Sequence, residues 1–295
     1  MSMNKHQQAK RHAYLIMAHT NPEQLCVLLK QIDDPRNDIF IHYDGRFVPP
    51  VDDFRHSVIH SELIVLPDPI KVYWGDYSQI QCELRLLEIA TERDEYEYYH
   101  LISGQDLLLK TQDYVHDFFE RNGGKEFISI DGVEAAKKND YRYKYYYPHL
   151  KRIKNLKSKR KKALLFAWMM GQKMVGIDRT RRIDVEFQKG ANWFSITDRC
   201  ARYVISQKAW IRDIFRDTYC CDELFLQTVV FNSEMPFDLY QNPNGEGNMR
   251  LIDWKRGNPY TFRKTDIQEL KASPALFARK FDQKIDSKII SILGE

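Results

Sequence analysis

Apolar and polar positions along this chain follow two rhythms. His12–Met17 (HAYLIM), Asp38–Tyr43 (DIFIHY), Leu63–Leu66 (LIVL), Tyr98–Ser103 (YYHLIS) and Glu126–Ile130 (EFISI) are short, nearly continuous apolar runs bounded by turn residues. That is the pattern of buried strands. Between them the apolar residues recur at helical spacing. Asn21-Pro22-Glu23 supplies the cap and first turn of a helix carrying Leu25, Val27, Leu28, Leu29 and Ile32, and Asp33-Asp34-Pro35 ends it. Ser78–Glu92 is a second helix, with Ile80, Leu84, Leu87 and Ile89. Phe187–Ile205 reads as loop, strand and helix, with Ser195–Asp198 as cap candidates. Cys221-Asp222-Glu223 opens a further helix over Leu224–Val230. Strands alternating with helices predict an α/β fold: a mostly parallel central sheet flanked by helices. Such sheets bind ligands beyond the carboxyl ends of their strands. Three of those ends are polar here: Ala18-His19-Thr20, His42-Tyr43-Asp44 and Ser103-Gly104-Gln105-Asp106. Strand ends lead into polar loops in any protein, so site and ordinary loop weigh evenly for these three.

Composition narrows the class. Charged residues are 29% and hydrophobic residues 43% of the 295, the balance of a folded chain rather than a disordered one. A net charge of +4 is too small to demand a nucleic-acid partner, and no complete nucleic-acid motif is present. Cys26, Cys82, Cys200, Cys220 and Cys221 are odd in number and lack metal-ligand spacing. Adjacent cysteines make a poor structural disulfide, so a reduced, cytoplasmic setting is expected. Met1–Arg11 is polar and basic, and the run Ala13–Ala18 is too short for a signal core or a membrane span. The expectation is a soluble chain that can still lie on the inner face of a membrane. Residues 137–162 concentrate cations (Lys137, Lys138, Arg142, Lys144, Lys151, Arg152, Lys154, Lys157, Lys159, Arg160, Lys161, Lys162) among Tyr141, Tyr143, Tyr145, Tyr146 and Tyr147. ALLFAWMM, residues 163–170, follows at once. This reads as an anchor for an anionic membrane, as a surface for a phosphate-bearing acceptor, or as a solvated helix leading into a core helix.

The chemistry-bearing stretch is Asp222-Glu223, followed about thirty residues later by Arg250, Lys255, Arg256, Arg263, Lys264, Arg279 and Lys280. A carboxylate that accepts a proton, with cations that hold a departing diphosphate, is what sugar transfer from a nucleoside diphosphate needs. Taken alone, Asp222-Glu223 is better explained as a charge pair at a helix N-terminus, and each cation as a surface ion pair.

The segments AYLIMAHTNPEQLCVLLKQID, DIFIHYDGR, VYWGDYSQIQCELRLLEIA, YYHLISGQDLLLKT, KGANWFSITDRCARYVI, DELFLQTVVFNS and LIDWKRGNPYTFRKTD…SPALFARKFD occur in this order over roughly residues 12–282. As an ordered set they resemble the core-2/I-branching β-1,6-N-acetylglucosaminyltransferases, a family that also includes peptide O-xylosyltransferases. The resemblance implies a GT-A-like fold. The expected single domain has a nucleotide-sugar-binding half over 12–135, a basic and aromatic insertion over 136–186 that has no convincing match in the family, and an acceptor side with the base and diphosphate site over 187–295. It implies inverting, metal-independent transfer, without cofactor, of a sugar (GlcNAc or xylose) from a UDP-sugar. The acceptor would be a hydroxyl of a glycan or lipid-linked saccharide in surface polysaccharide synthesis. The second strand ends on a single acid, Asp44, where metal-dependent GT-A enzymes place Asp-x-Asp, and one carboxylate is a poor divalent-ion site. Glu223 matches the family's base, and inversion needs only one carboxylate to take the acceptor's proton. Lys280 matches one diphosphate cation; Arg250 best matches the other, with Lys255 and Arg256 as rivals. Uracil and ribose are expected near Ala18, His19, Asp44, Tyr73 and Trp74. Asp106 holds the donor sugar or caps Leu107–Leu109. Asp222 is a sugar or acceptor contact, and Trp193 and Trp254 are sugar platforms or core residues. Animal members carry an N-terminal anchor and disulfides that this sequence does not show, which points to a bacterial or cytosolic relative. The alternative is a non-catalytic module binding anionic glycan, nucleotide or membrane through residues 137–162.

Overall fold

A computed structural model describes residues 11–148, 150, 158–242 and 247–294. The central sheet is built from β1 (His12–Ala18), β2 (Asn37–Tyr43), β3 (Glu62–Val65), β4 (Tyr98–Ser103) and a later strand, Ser195–Thr197. Between β4 and that strand lie β5 (Leu107–Leu108) and β6 (Lys125–Glu126), so Ser195–Thr197 is β7. The order is β3-β2-β1-β4-β7, with β7 alone antiparallel. The sheet is therefore mostly parallel, as the alternating pattern predicts. Successive residues of a strand point to opposite faces, and the packing follows. Leu15, with its register partners Phe40 and Leu101, joins one core that includes Ile80, Leu84 and Leu87 of the helix Ser78–Arg93. Ile16, Ile41 and Ile102 join the other, with Leu25, Leu28, Leu29 and Ile32 of the helix Pro22–Ile32. Both faces are covered, which is why the strands read as continuous apolar runs.

Two small sheets complete the fold. β8 (Asp238–Leu239) pairs with β6, and β10 (Phe277–Arg279) lies between β5 and β9 (Arg250–Ile252). The last helix, Ser287–Gly294, buries Ile289 and Ile290 in the Pro22–Ile32 core.

Three local expectations change. The expected fifth strand, 126–130, is ordered as a strand only through Glu126, with Phe127 bridging Ser195. Beyond it, the Ser129 carbonyl accepts from Gln227, and Asp131 N–H donates to the Lys189 carbonyl. Asn21 precedes its helix without capping it; it sits in the left-handed region (φ 53°) and donates its amide to Asp282. Cys221–Glu223 is a separate 3₁₀ turn, and the helix runs Phe225–Phe231.

In the 136–186 stretch, Tyr145, Tyr147 and Leu150 pack with Leu165 and Met169 of the helix Ser158–Met174. Lys151, Arg152, Lys154 and Lys157 of the basic segment, and Met1–Lys10, lie outside the described residues. Among the described residues, no helix is long and apolar enough to cross a membrane.

Candidate active site

A cavity of about 590 Å³ opens over the carboxyl ends of β1, β2 and β4. Ala18, His19 and Thr20 follow β1 into its wall, Asp44 and Arg46 follow β2, and Ser103, Gly104 and Gln105 follow β4. The three polar strand ends therefore converge on one space, as they do in open α/β sheets generally.

Asp44 is buried and clamped. Arg46 Nε and Nη2 reach its two oxygens at 2.8 and 2.7 Å, and Val72 N–H donates to Oδ2 at 3.1 Å. Burial opposes the Asp44 charge, but the Arg46 and Val72 bonds outweigh it and hold the carboxyl below its usual range. His42, beneath, accepts from Ile70 N–H at 2.8 Å and is kept neutral by burial.

The acidic turn also lines the cavity. Cys220 takes a left-handed conformation (φ 48°) and ties its N–H to the Gly75 carbonyl at 2.9 Å, presenting Asp222 and Glu223 to the cavity. Asp222 points inward and accepts from Gln79 Nε2 at 2.9 Å. Burial, with the Glu223 charge next to it, lifts its pKa to about 7. Glu223 keeps 33% of its side chain exposed and accepts from Arg142 Nη1 at 2.6 Å. Its carbonyl accepts from Gly190 N–H at 3.0 Å. A Cβ on Gly190 would lie 1.8 Å from the Ser129 carbonyl oxygen, so this close approach requires glycine.

The cationic wall comes from β10 and the residue after it. Arg279 is buried with its guanidinium 4.1 Å from the Trp193 ring centroid and Nε 3.4 Å from Asp106 Oδ1. Lys280 lines the cavity beside it, as do Trp74, Trp193 and Trp254. Trp74 and Trp254 are largely exposed, which suits flat platforms more than core residues.

Five expected residues stand elsewhere. Arg250 is buried beneath the cavity. Its guanidinium donates to the Phe194, Leu101 and Asn248 carbonyls and to Ser195 Oγ, and stacks 4.5 Å from Phe277. Those acceptors fix it as a strut between β9 and the central sheet. Arg256 is bound into an exposed network with Asp253, Asp266 and Glu269. Lys255 is exposed in the same turn, outside the cavity lining. Tyr73 lies under the Arg46 guanidinium, 5.1 Å from it. Asp106 closes its own turn, accepting from Ser103 N–H and Oγ at 2.9 Å each, and faces Arg279 instead of the cavity. Sequence reasoning passed over Arg46 and Gln79, and named Arg142 and Arg279 only as members of longer runs of cations. The signals were slight: the Asp44-Gly45-Arg46 triplet, and the one arginine within the Tyr141–Tyr147 run.

Among the described residues, no group of three or more His, Cys, Asp or Glu side chains is placed to hold a metal ion. The five cysteines are free.

Comparison of the sequence with known proteins places it in a family. Xylosyltransferase 2 of Rattus norvegicus is 22% identical over 307 residues, covering 96% of this chain and 33% of the relative. The Homo sapiens Xylosyltransferase 2 is also 22% identical, with the same coverage. Xylosyltransferase sqv-6 of Caenorhabditis briggsae is 23% identical over 92% of this chain and 34% of its own length. The chain thus spans about a third of the curated relatives it matches. Among solved structures, S. aureus TarS 1-349 in complex with UDP-GlcNAc aligns with a TM-score of 0.24 and 13% identity, over 38% of this chain and 31% of that one, too slight a likeness to build on. The sequence model of the Core-2/I-Branching enzyme matches residues 12–273, and the chain belongs to that family.

Proposed function

We propose that this protein is an inverting glycosyltransferase that moves a sugar, GlcNAc or xylose, from a UDP-sugar to a hydroxyl of a glycan or lipid-linked saccharide. The observation that carries this reading is one cavity with a carboxylate pair, Asp222-Glu223, on one wall and Arg279-Lys280 on another. Uracil and ribose fit the side of Ala18, His19 and Asp44, and the exposed indoles of Trp74 and Trp254 offer faces to sugar rings. Glu223, partly open to solvent, takes the acceptor's proton as the oxygen attacks the anomeric carbon from the face opposite the diphosphate. The bond to the diphosphate breaks, and Arg279 and Lys280 stabilise the charge that leaves. Metal-independent action is supported by the Asp44 clamp: both carboxylate oxygens already accept from Arg46. In this reading Arg279 takes the part that the sequence gives to Arg250.

Asp222 is the rival base, because a pKa near 7 is the value a general base works at. Glu223→Gln and Asp222→Asn separate the two. The expected outcome is that Glu223→Gln binds UDP-sugar like the parent and loses transfer by about 10²–10⁴-fold, while EDTA leaves the parent's rate unchanged. Full transfer by Glu223→Gln with none by Asp222→Asn would move the base to Asp222.

A further inference from the structure

The helix Ser158–Met174 has two apolar sides, and among the described residues the fold covers only one. Leu165 and Met169 pack on Tyr145, Tyr147 and Leu150, and buried Gln172 bonds the Tyr146 backbone in both directions. The opposite stripe, at the helical repeat of Ala163, Phe166, Ala167, Met170 and Met174, faces outward. Leu164 is 47% exposed, Phe166 60%, Met174 84% and the following Val175 73%. A helix apolar all round belongs in a core or a bilayer. This one lies on the surface, with an open stripe about 18 Å long at 1.5 Å per residue.

Charge identifies what covers it. Lys159, Arg160 and Lys162 are exposed in the turns just before the stripe, and Lys173 is exposed near its end. No Asp or Glu occurs from Tyr141 to Ile177. A second copy seated on this face by two-fold symmetry would bring like-charged patches together. An anionic bilayer satisfies both features at once: acyl chains take the apolar stripe and headgroup phosphates take the cations. We infer that residues 159–175 form an interfacial docking face for anionic phospholipid, lying on the membrane without crossing it. The side of the helix that the fold covers leads to the cavity: buried Tyr147, packed there, meets Tyr219 at 5.6 Å, and Tyr219 meets Trp74 of the cavity lining at 6.0 Å. Resting on the function proposed above, docking then holds Glu223 beside membrane-borne acceptors; the docking itself does not depend on that function.

The test is co-sedimentation of the full chain with phosphatidylcholine vesicles and with phosphatidylcholine–phosphatidylglycerol vesicles. The chain is expected to pellet with the anionic vesicles only. Leu164→Ser with Phe166→Ser should weaken partitioning on the order of a hundredfold. Met174→Ser with Val175→Ser, at the other end of the stripe, should act in the same direction. Lys159→Gln with Arg160→Gln and Lys162→Gln should abolish the preference for anionic vesicles, again by roughly a hundredfold. Parent protein that pellets with neither vesicle, or apolar variants that bind as the parent does, overturns the inference. So does a dimer seen by sedimentation velocity without lipid that Leu164→Ser with Phe166→Ser turns into monomer.

Discussion

Asp222 and Glu223 are neighbours in sequence with opposite surroundings. Asp222 is sealed against Gln79, while Glu223 reaches a partly open space and pairs with Arg142. The Glu223 charge is one cause of the raised Asp222 pKa, second to burial. Glu223→Gln removes the like charge, so the Asp222 titration, followed by carboxyl-carbon NMR, should move down from about 7. An unmoved midpoint would mean that burial alone sets it. The two buried arginines divide along the same line. Arg279→Met should weaken UDP binding about 10–100-fold in calorimetry while the fold stays intact, because the lost bonds are charge-assisted ones to the ligand. Arg250→Met should leave UDP affinity near the parent's and lower unfolding free energy by about 1–3 kcal/mol, because it strands buried carbonyls. Equal affinity losses in both would return Arg250 to the diphosphate. The family resemblance favours Arg250; what separates the two arginines in the fold is which acceptors surround each.

At the scale of elements, the site hangs on how loops are laced to helices. The 187–194 loop is held by the helix Phe225–Phe231 through Gln227 to the Ala191 carbonyl and Thr228 Oγ1 to Gln188 N–H. Gly190 lies where that loop, Ser129 and Glu223 meet. Gly190→Ala should therefore lower stability by about 1–3 kcal/mol and lower kcat with donor affinity retained, since the displaced backbone carries Glu223. A thermal melt and steady-state kinetics check both parts, and unchanged kcat in a folded variant would detach Gly190 from the base. The apolar run 126–130 looks like a strand because its composition suits one, yet after Phe127 bridges Ser195 the Ser129 carbonyl accepts from Gln227 of the helix instead of a neighbouring strand. Long strands with two buried faces were legible, since the central sheet imposes the same demand on each residue in turn. Two- and three-residue strands such as β5, β9 and β10 carry too little pattern to read.

Across the whole molecule, a histidine chain runs through the sheet core. His100 contacts Ser195 Oγ at 2.7 Å and His12 Nδ1 at 3.0 Å, and His12 stacks on His116 at 4.1 Å. Burial lowers the pKa of all three, that of His116 to about 3 from 6.5. A histidine held neutral in the fold but free to protonate when unfolded makes stability fall as pH drops below 6.5 toward the folded value. Glu126 and Asp222, each raised to about 7, act the other way, binding protons in the fold that the unfolded chain releases. The net curve is their difference, so a variant isolates the histidine part. In His116→Gln, the change in unfolding free energy from pH 7 to pH 5, measured with urea, should lack a loss of roughly 2 kcal/mol that the parent shows. Parallel curves would mean that His116 binds its proton equally in the folded and unfolded states, so that burial does not lower its pKa.

The sequence by itself determined the mostly parallel sheet, the two principal helices and the family. These rest on periodicity and on ordered segments, and both are written locally along the chain. It also marked the strand ends and the Asp222-Glu223 turn that meet at the cavity. Only the tertiary structure decided which cations face that cavity, that Arg142 holds Glu223, that Asp106 turns to Arg279, and which side of the Ser158–Met174 helix stays open. Each depends on residues tens to hundreds of positions apart. A side chain's sequence neighbours do not state which carbonyls, carboxylates or rings the fold will bring against it, and those contacts set its charge and its orientation.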